Sequence, residues 1–278
     1  KRATVEVGPL DLASQPAFAI RWMWIGGGPK RIAPAQQAEF GQWRVRQRLG
    51  YAWDHRFRFP FEPYRPGDGR PRCEEVLFPT AAGRGTLGQA LAEACLQTER
   101  FIDQGASLVI LSDRGVSETL AVVPMLLAVG AVVEELIKKG VGNKADLVLE
   151  TAEVWEAHQF ACLVGYGAAA INPYLALEIV ADLARRGELG EISVADALGN
   201  YRGALEAGLK KILSKMGIST LQSYRGAQVF EALGLSQELV DAHFTGTTSK
   251  LGGIGIETVH EEVRKRHDIA YPLTGISP

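Results

Sequence analysis

The rhythm of hydrophobic and polar positions changes near residue 86. Beyond it, short apolar and β-branched runs alternate with longer amphipathic stretches, the pattern of strands joined by helices. The runs SLVILS (107–112), DLVLET (146–151) and AAAI (168–171) predict strands, and helices are predicted over 86–104, 120–139, 154–166 and 174–186. Lys138 and Lys139 sit in the last turn of the second helix, where cations favour the carbonyl end of the helix dipole, and Gly140 stops it. After residue 192 the pattern turns more helical, with helices predicted over 194–216, 221–233 and 237–244 and a short run at 218–220. Strand–helix–strand crossovers imply parallel neighbours. The predicted class is therefore α/β: parallel strands with crossover helices, either open or curled into a barrel.

Residues 1–75 lack this rhythm. They hold Trp22, Trp24, Trp43 and Trp53, a GGGP turn at 26–29 and a proline-studded run, FRFPFEPYRPGDGRP, at 57–71; only 34–49 has the spacing of an amphipathic helix. Two segments are expected: an irregular, basic, aromatic-rich extension over 1–75 and an α/β domain over 76–278. So many aromatics need a surface to lie on, and the following domain is the expected one. Charge divides the same way. Residues 1–75 carry thirteen Lys and Arg against eight Asp and Glu, a surplus of five, which leaves residues 76–278 at −7 within a whole-chain charge of −2. That balance gives no broad positive footprint for nucleic acid. A basic surface on a peripheral segment and a contact with an acidic neighbour are the two readings of the asymmetry.

The most apolar stretch, 120–133, contains Pro124 and Gly130 and is followed at once by Glu134 and Glu135, so it reads as a buried helix and not a membrane span of about twenty residues. Residues 1–14 contain no apolar core of signal-peptide length. Cys73, Cys95 and Cys162 stand far apart, with the spacing of neither a zinc site nor an iron–sulfur cluster, and are expected to be reduced thiols in a cytoplasmic protein. The five histidines form no HxH or HExxH pair, and no GxSxG elbow or GxGxxG turn is present.

In parallel α/β folds, functional groups gather where strands end. The predicted strand ends carry Ser112, Asp113 and Arg114, then Glu150, then Asn172, and after the run at 218–220 Ser223, Tyr224 and Arg225. A hydrolase or lyase site drawn from Asp113, Glu150 and Arg225 competes with a salt-bridge network that only holds loops in place. A second candidate is the glycine-rich run GTTSKLGGIG (246–255). Its Thr247, Ser249, Lys250, Gly252 and Gly253 suit either a nest of N–H groups for an anion or a loop that approaches a partner.

Four strings carry a family resemblance: LSDRG (111–115), HQFACLVGYGAAAINPYLALE (158–178), KILSKMGISTLQSYRGAQVFEALGL (211–235) and FTGTTSKLGG (244–253). In order and spacing they resemble the central domain of the large subunit of glutamate synthase. The resemblance implies a degenerate (β/α) barrel-like domain between an N-terminal glutaminase and an FMN-binding barrel with an iron–sulfur cluster. Such a domain has no catalytic residue, binds no cofactor or metal itself, joins the two active sites and helps wall the tunnel that carries ammonia between them. Glutaminase and FMN-binding domains are the implied partners, with neither nucleic acid nor membrane, in glutamate biosynthesis and ammonia assimilation. Two departures stand out: Val133-Glu134-Glu135 where the family has a run of histidines, and residues 1–75, which match poorly. The contrasting readings are a stand-alone barrel-like protein that holds a small anionic ligand with Arg114, Arg225 and the glycine-rich run, and a chain that binds flavin itself.

Overall fold

The sheet begins at Arg72–Glu75 (β1), four residues ahead of Val76, and Leu77–Pro79 (β2) follows. The computed structural model describes residues 72–80, 86–227 and 229–271, so the tryptophans and the helix expected within 1–71 lie outside the described residues. Thr86 starts the helix Leu87–Asp103 (α1) with a capping box: its Oγ1 accepts from the Gln89 N–H at 3.2 Å, and the Gln89 side chain accepts from the Thr86 N–H at 2.9 Å. Leu87, Leu91, Ala94, Thr98 and Ile102, three or four residues apart, form its buried face. Next come Leu108–Ser112 (β3), Leu120–Val122 (β4), Met125–Lys138 (α2), Asp146–Glu150 (β5), Ala157–Gly165 (α3), Ala168–Asn172 (β6), Tyr174–Arg185 (α4) and Val194–Lys215 (α5).

β1, β3, β5 and β6 pair in that order, every pair parallel. The strands add in chain order without reversal, as consecutive strands of a (β/α) barrel do. Among the described residues the sheet stays open and no barrel closes. Strand residues alternate between two faces. Val109, Leu111, Leu147, Leu149 and Ile171 point into the main core with the helices, while Ile110, Val148 and Ala170, in register across three strands, form a small second cluster. β2 and β4 make an antiparallel pair beside this sheet.

Three expected elements differ. The helix predicted over 120–139 is split, because Pro124 disfavours helical geometry at Val123; residues 120–122 pair with β2, and α2 starts only at Met125. The helix predicted over 221–233 stops after one turn, Leu221–Tyr224 (α6), and the left-handed Gly226 turns the chain toward a strand, Glu231–Leu235 (β7). The run at 218–220 is not a strand; Thr220 caps α6, its hydroxyl accepting from the Ser223 N–H. After Gln237–His243 (α7), the glycine-rich run forms a strand, Thr248–Ile254 (β8), parallel to β7, and Ile256–Ala270 (α8) is a helix that the hydrophobic pattern did not disclose.

α2 is buried on most of its circumference, between α1, α3 and α7. Its Gly130 lies so close to α7 that a Cβ there would collide with the His243 carbonyl oxygen and the Phe244 ring. Gly130→Ala is therefore expected to cost about 1–3 kcal/mol by overpacking, although Ala is intrinsically the better helix former. The exposed Gly199 of α5 has open space around its Cα, and Gly199→Ala there should gain about 0.5–1 kcal/mol. Urea unfolding of the two variants checks the opposite signs.

Candidate functional site

The ends of β3, β5 and β6 converge on one carboxylate. Glu150, the last residue of β5, accepts from the Ser112 hydroxyl at 2.7 Å, from Arg114 Nε at 3.0 Å and from Asn172 Nδ2 at 3.4 Å. Register produces this meeting, since Ser112, Glu150 and Asn172 are aligned across the three strands. The Arg114 guanidinium extends further, to Glu178 of α4 at 3.6 Å, and its Cζ lies 4.0 Å from the centroid of the Tyr174 ring. Its positive charge is thus committed to two carboxylates and an aromatic face. Ser112, Glu150 and Asn172 are buried; the Arg114 side chain is 32% exposed. Arg114 Nη2 and Asn172 Oδ1 are buried without a hydrogen-bond partner among the described residues.

Asp113, wholly buried beside this network, serves the next loop. Its carboxylate accepts from the Thr151 hydroxyl at 2.6 Å and from the Ala152 N–H at 3.0 and 3.1 Å. Burial pushes its pKa up to about 6, against the stabilising hydrogen bonds from Thr151, Ala152 and Tyr174. Burial likewise pushes the Tyr174 hydroxyl upward, with the charge of Asp113 adding to the effect.

Glu153 is a functional neighbour of this edge that the strand-end pattern does not disclose. It lies just after β5, and its Oε2 accepts from the Met125 N–H at 2.6 Å, supplying the start of α2 with the acceptor that Pro124 cannot provide. The only hint in the sequence is a proline at a helix start, which leaves an orphan donor for some distant group. Burial pushes Glu153 up to about 7, and the nearby Asp113 adds to the rise.

Arg225 does not belong to this end of the sheet. It bonds Asp146 Oδ1 through both terminal nitrogens at 3.2 Å and the Gly167 carbonyl at 2.9 Å, groups at the starts of β5 and β6. Asp146 and Glu150 are opposite ends of one strand, separated by about 13 Å at the usual rise per residue. A site combining Asp113, Glu150 and Arg225, or an anion gripped by Arg114 and Arg225 together, does not form. The physical reason is that Arg225 follows a helical turn and not a strand.

The glycine-rich run is also explained by packing. A Cβ at Gly253 would collide with the Gly234 carbonyl, so glycine there permits the close approach of β8 to β7. Gly252 has open space around it. Thr247 is buried, its hydroxyl 2.6 Å from that of Tyr166; Ser249 donates to the Leu251 carbonyl at 3.4 Å; and Lys250 pairs with Glu231 at 3.2 Å on the surface. Ser249 and Lys250 are neighbours in β8 and so take opposite faces, and Thr247 precedes the strand, so these side chains do not converge. Among the described residues, no three His, Cys, Asp or Glu side chains are placed to hold a metal ion, and no helix is long and apolar enough to cross a membrane.

Arg114→Ala should destabilise by about 2–3 kcal/mol, below the range for a fully buried pair because the guanidinium is partly solvated. Arg225→Ala should cost about 1–2 kcal/mol through its lost hydrogen bonds. Because they act at opposite ends of the sheet, the double variant should be additive to within about 0.5 kcal/mol in urea unfolding. The acid groups set a pH dependence. Asp113, Glu153 and Glu74, the last pushed up to about 7 by burial beside Glu93 and Glu75, all have folded pKa values above their unfolded ones. Between about pH 4 and 7 these three groups therefore hold more protons in the folded chain than in the unfolded one, and their contribution to stability falls as pH rises through that window, opposed by the lowered pKa values of His243 and Glu262. Denaturation midpoints at pH 5 and 7.5 should show the decline, and Glu153→Gln should flatten it.

Residues 68–236 match the family model for the glutamate synthase central domain, a span that takes in every strand from β1 to β7 and the whole Glu150 network. The chain is 46% identical over 197 residues to the glutamate synthase (NADPH) large chain of Bacillus subtilis, covering 71% of this chain and 13% of that one. It is 50% identical over 203 residues to ferredoxin-dependent glutamate synthase 2 of Synechocystis sp., covering 68% and 13%. With the ferredoxin-dependent glutamate synthase of Pyropia yezoensis it shares 42% identity over 207 residues, covering 70% and 14%. The chain thus spans a small part of the length of these relatives. The family-model match over more than half of the chain and these identities show it: the chain belongs to the glutamate synthase central domain family.

Proposed function

We propose that this chain is a structural, connecting module of a glutamate synthase, acting in glutamate biosynthesis and ammonia assimilation in the cytoplasm. It joins a glutaminase unit to an FMN-binding unit and supplies part of the wall of the tunnel through which ammonia passes. The flavin and the iron–sulfur cluster belong to the neighbouring unit, and this chain contributes shape and contact.

The observation that carries the reading is how the strand-end residues are used. In enzymes with parallel α/β architecture, this edge holds the chemistry. Here Arg114 is committed to Glu150, Glu178 and the Tyr174 ring, and Asp113 to Thr151 and Ala152, so the edge is fixed by its own side chains. A rigid edge of this kind suits a wall or a contact surface. The relatives supply the context, being large chains named for glutamate synthesis of which this region is a minor part.

The test is co-expression with glutaminase and FMN-binding subunits, read by co-elution and absorbance. The chain alone is expected to be colourless, and the mixture to elute as one complex whose flavin absorbance comes from the FMN-binding subunit. A chain that elutes alone beside both subunits, or that carries its own flavin spectrum, overturns the proposal.

A further inference from the structure

Strands β7 and β8 form a two-stranded parallel sheet that is not hydrogen-bonded to the main sheet among the described residues. Parallel strands are normally covered on both faces, and a two-stranded sheet is marginal in water by itself. Yet Leu233 and Leu251, register partners on adjacent strands, are 66% and 63% exposed, and Ile254 beside them is 42% exposed. Three large apolar side chains on one small sheet mark a surface that something else covers.

The charge around this sheet indicates what. Residues 231–270, which run through β7, α7, β8 and α8, carry seven Asp and Glu against Lys250, Arg264, Lys265 and Arg266, a net −3, and the stretch up to residue 262 holds six of the seven acids. Residues 1–71 carry twelve Lys and Arg against six Asp and Glu, a net +6, and hold four of the five tryptophans. Arginine and aromatic residues are the types enriched at contact surfaces. We propose that the β7–β8 face, through the register partners Leu233 and Leu251, is the docking site of the chain's own basic, aromatic segment 1–71. Apolar contact supplies adhesion, and the opposed charges set which surface is chosen. This intramolecular contact is independent of the assignment to a larger synthase.

Tryptophan fluorescence of the full chain tests it. Trp155 is the only tryptophan outside the segment, so in a Trp155→Phe background the emission reports on residues 1–71 alone. Adding Leu233→Asp and Leu251→Asp should red-shift that emission and increase its quenching by acrylamide, with the far-ultraviolet circular dichroism retained. Unchanged emission and quenching overturn the proposal. A photocrosslinking residue at position 251 provides a second measurement that does not depend on disrupting the sheet. Cross-links to peptides within 1–71, at monomer mass, support the contact. Cross-links confined to 72–271, or a product of doubled mass joining two copies, overturn it, as does failure to cross-link except when another protein is added.

Discussion

Glu150 is the group on which the upper edge of this sheet depends. A buried carboxylate is tolerable only when its oxygens are hydrogen-bonded and its charge is matched, and three neighbours meet that demand: Ser112 from β3, Asn172 from β6 and Arg114 from the loop after β3. Two of the bonds tie the end of β3 and its following loop to β5, and the third ties the end of β6 to it. Because Arg114 also reaches Glu178 and lies against Tyr174, the same carboxylate indirectly fixes the start of α4. Backbone pairing alone would hold the strands together but leave the loops free to move; the network fixes the loops.

Polar satisfaction at a distance recurs beside this edge. Asp113 holds the loop at Thr151 and Ala152, and Glu153, in that same loop, accepts from the first N–H of α2. A chain of contacts therefore runs from the end of β3, through the loop after β5, to the start of the most buried helix. Burial raises the pKa of both Asp113 and Glu153, so the cohesion of this region is sensitive to proton activity. Glycine has the complementary role of permitting close approach: Gly130 lets α2 meet α7, and Gly253 lets β8 meet β7. Where the sequence offered glycine as a possible cradle for an anion, the fold uses it to bring backbones together.

Among the described residues these arrangements leave two surfaces of different character. The strand-end edge is closed by its own side chains, whereas the β7–β8 face is not. That contrast separates the residues that hold the strand ends in place from the exposed apolar residues of β7 and β8.

Sequence alone determined the features that depend on local pattern. The apolar runs at β3, β5 and β6 and the helices between them were legible because burial on both strand faces and a 3.6-residue period leave direct marks. The residues at the strand ends were legible too, since register follows from a strand's position: Ser112, Asp113, Arg114, Glu150 and Asn172 do gather. Tertiary structure decided what distant groups do to one another. It placed Arg225 at the start of β5 through one short helical turn, made a strand of the glycine-rich run by pairing it with β7, and recruited Glu153 to a helix twenty-eight residues earlier in the chain. In each case the deciding interaction joins residues far apart in sequence, and no local periodicity encodes such a contact.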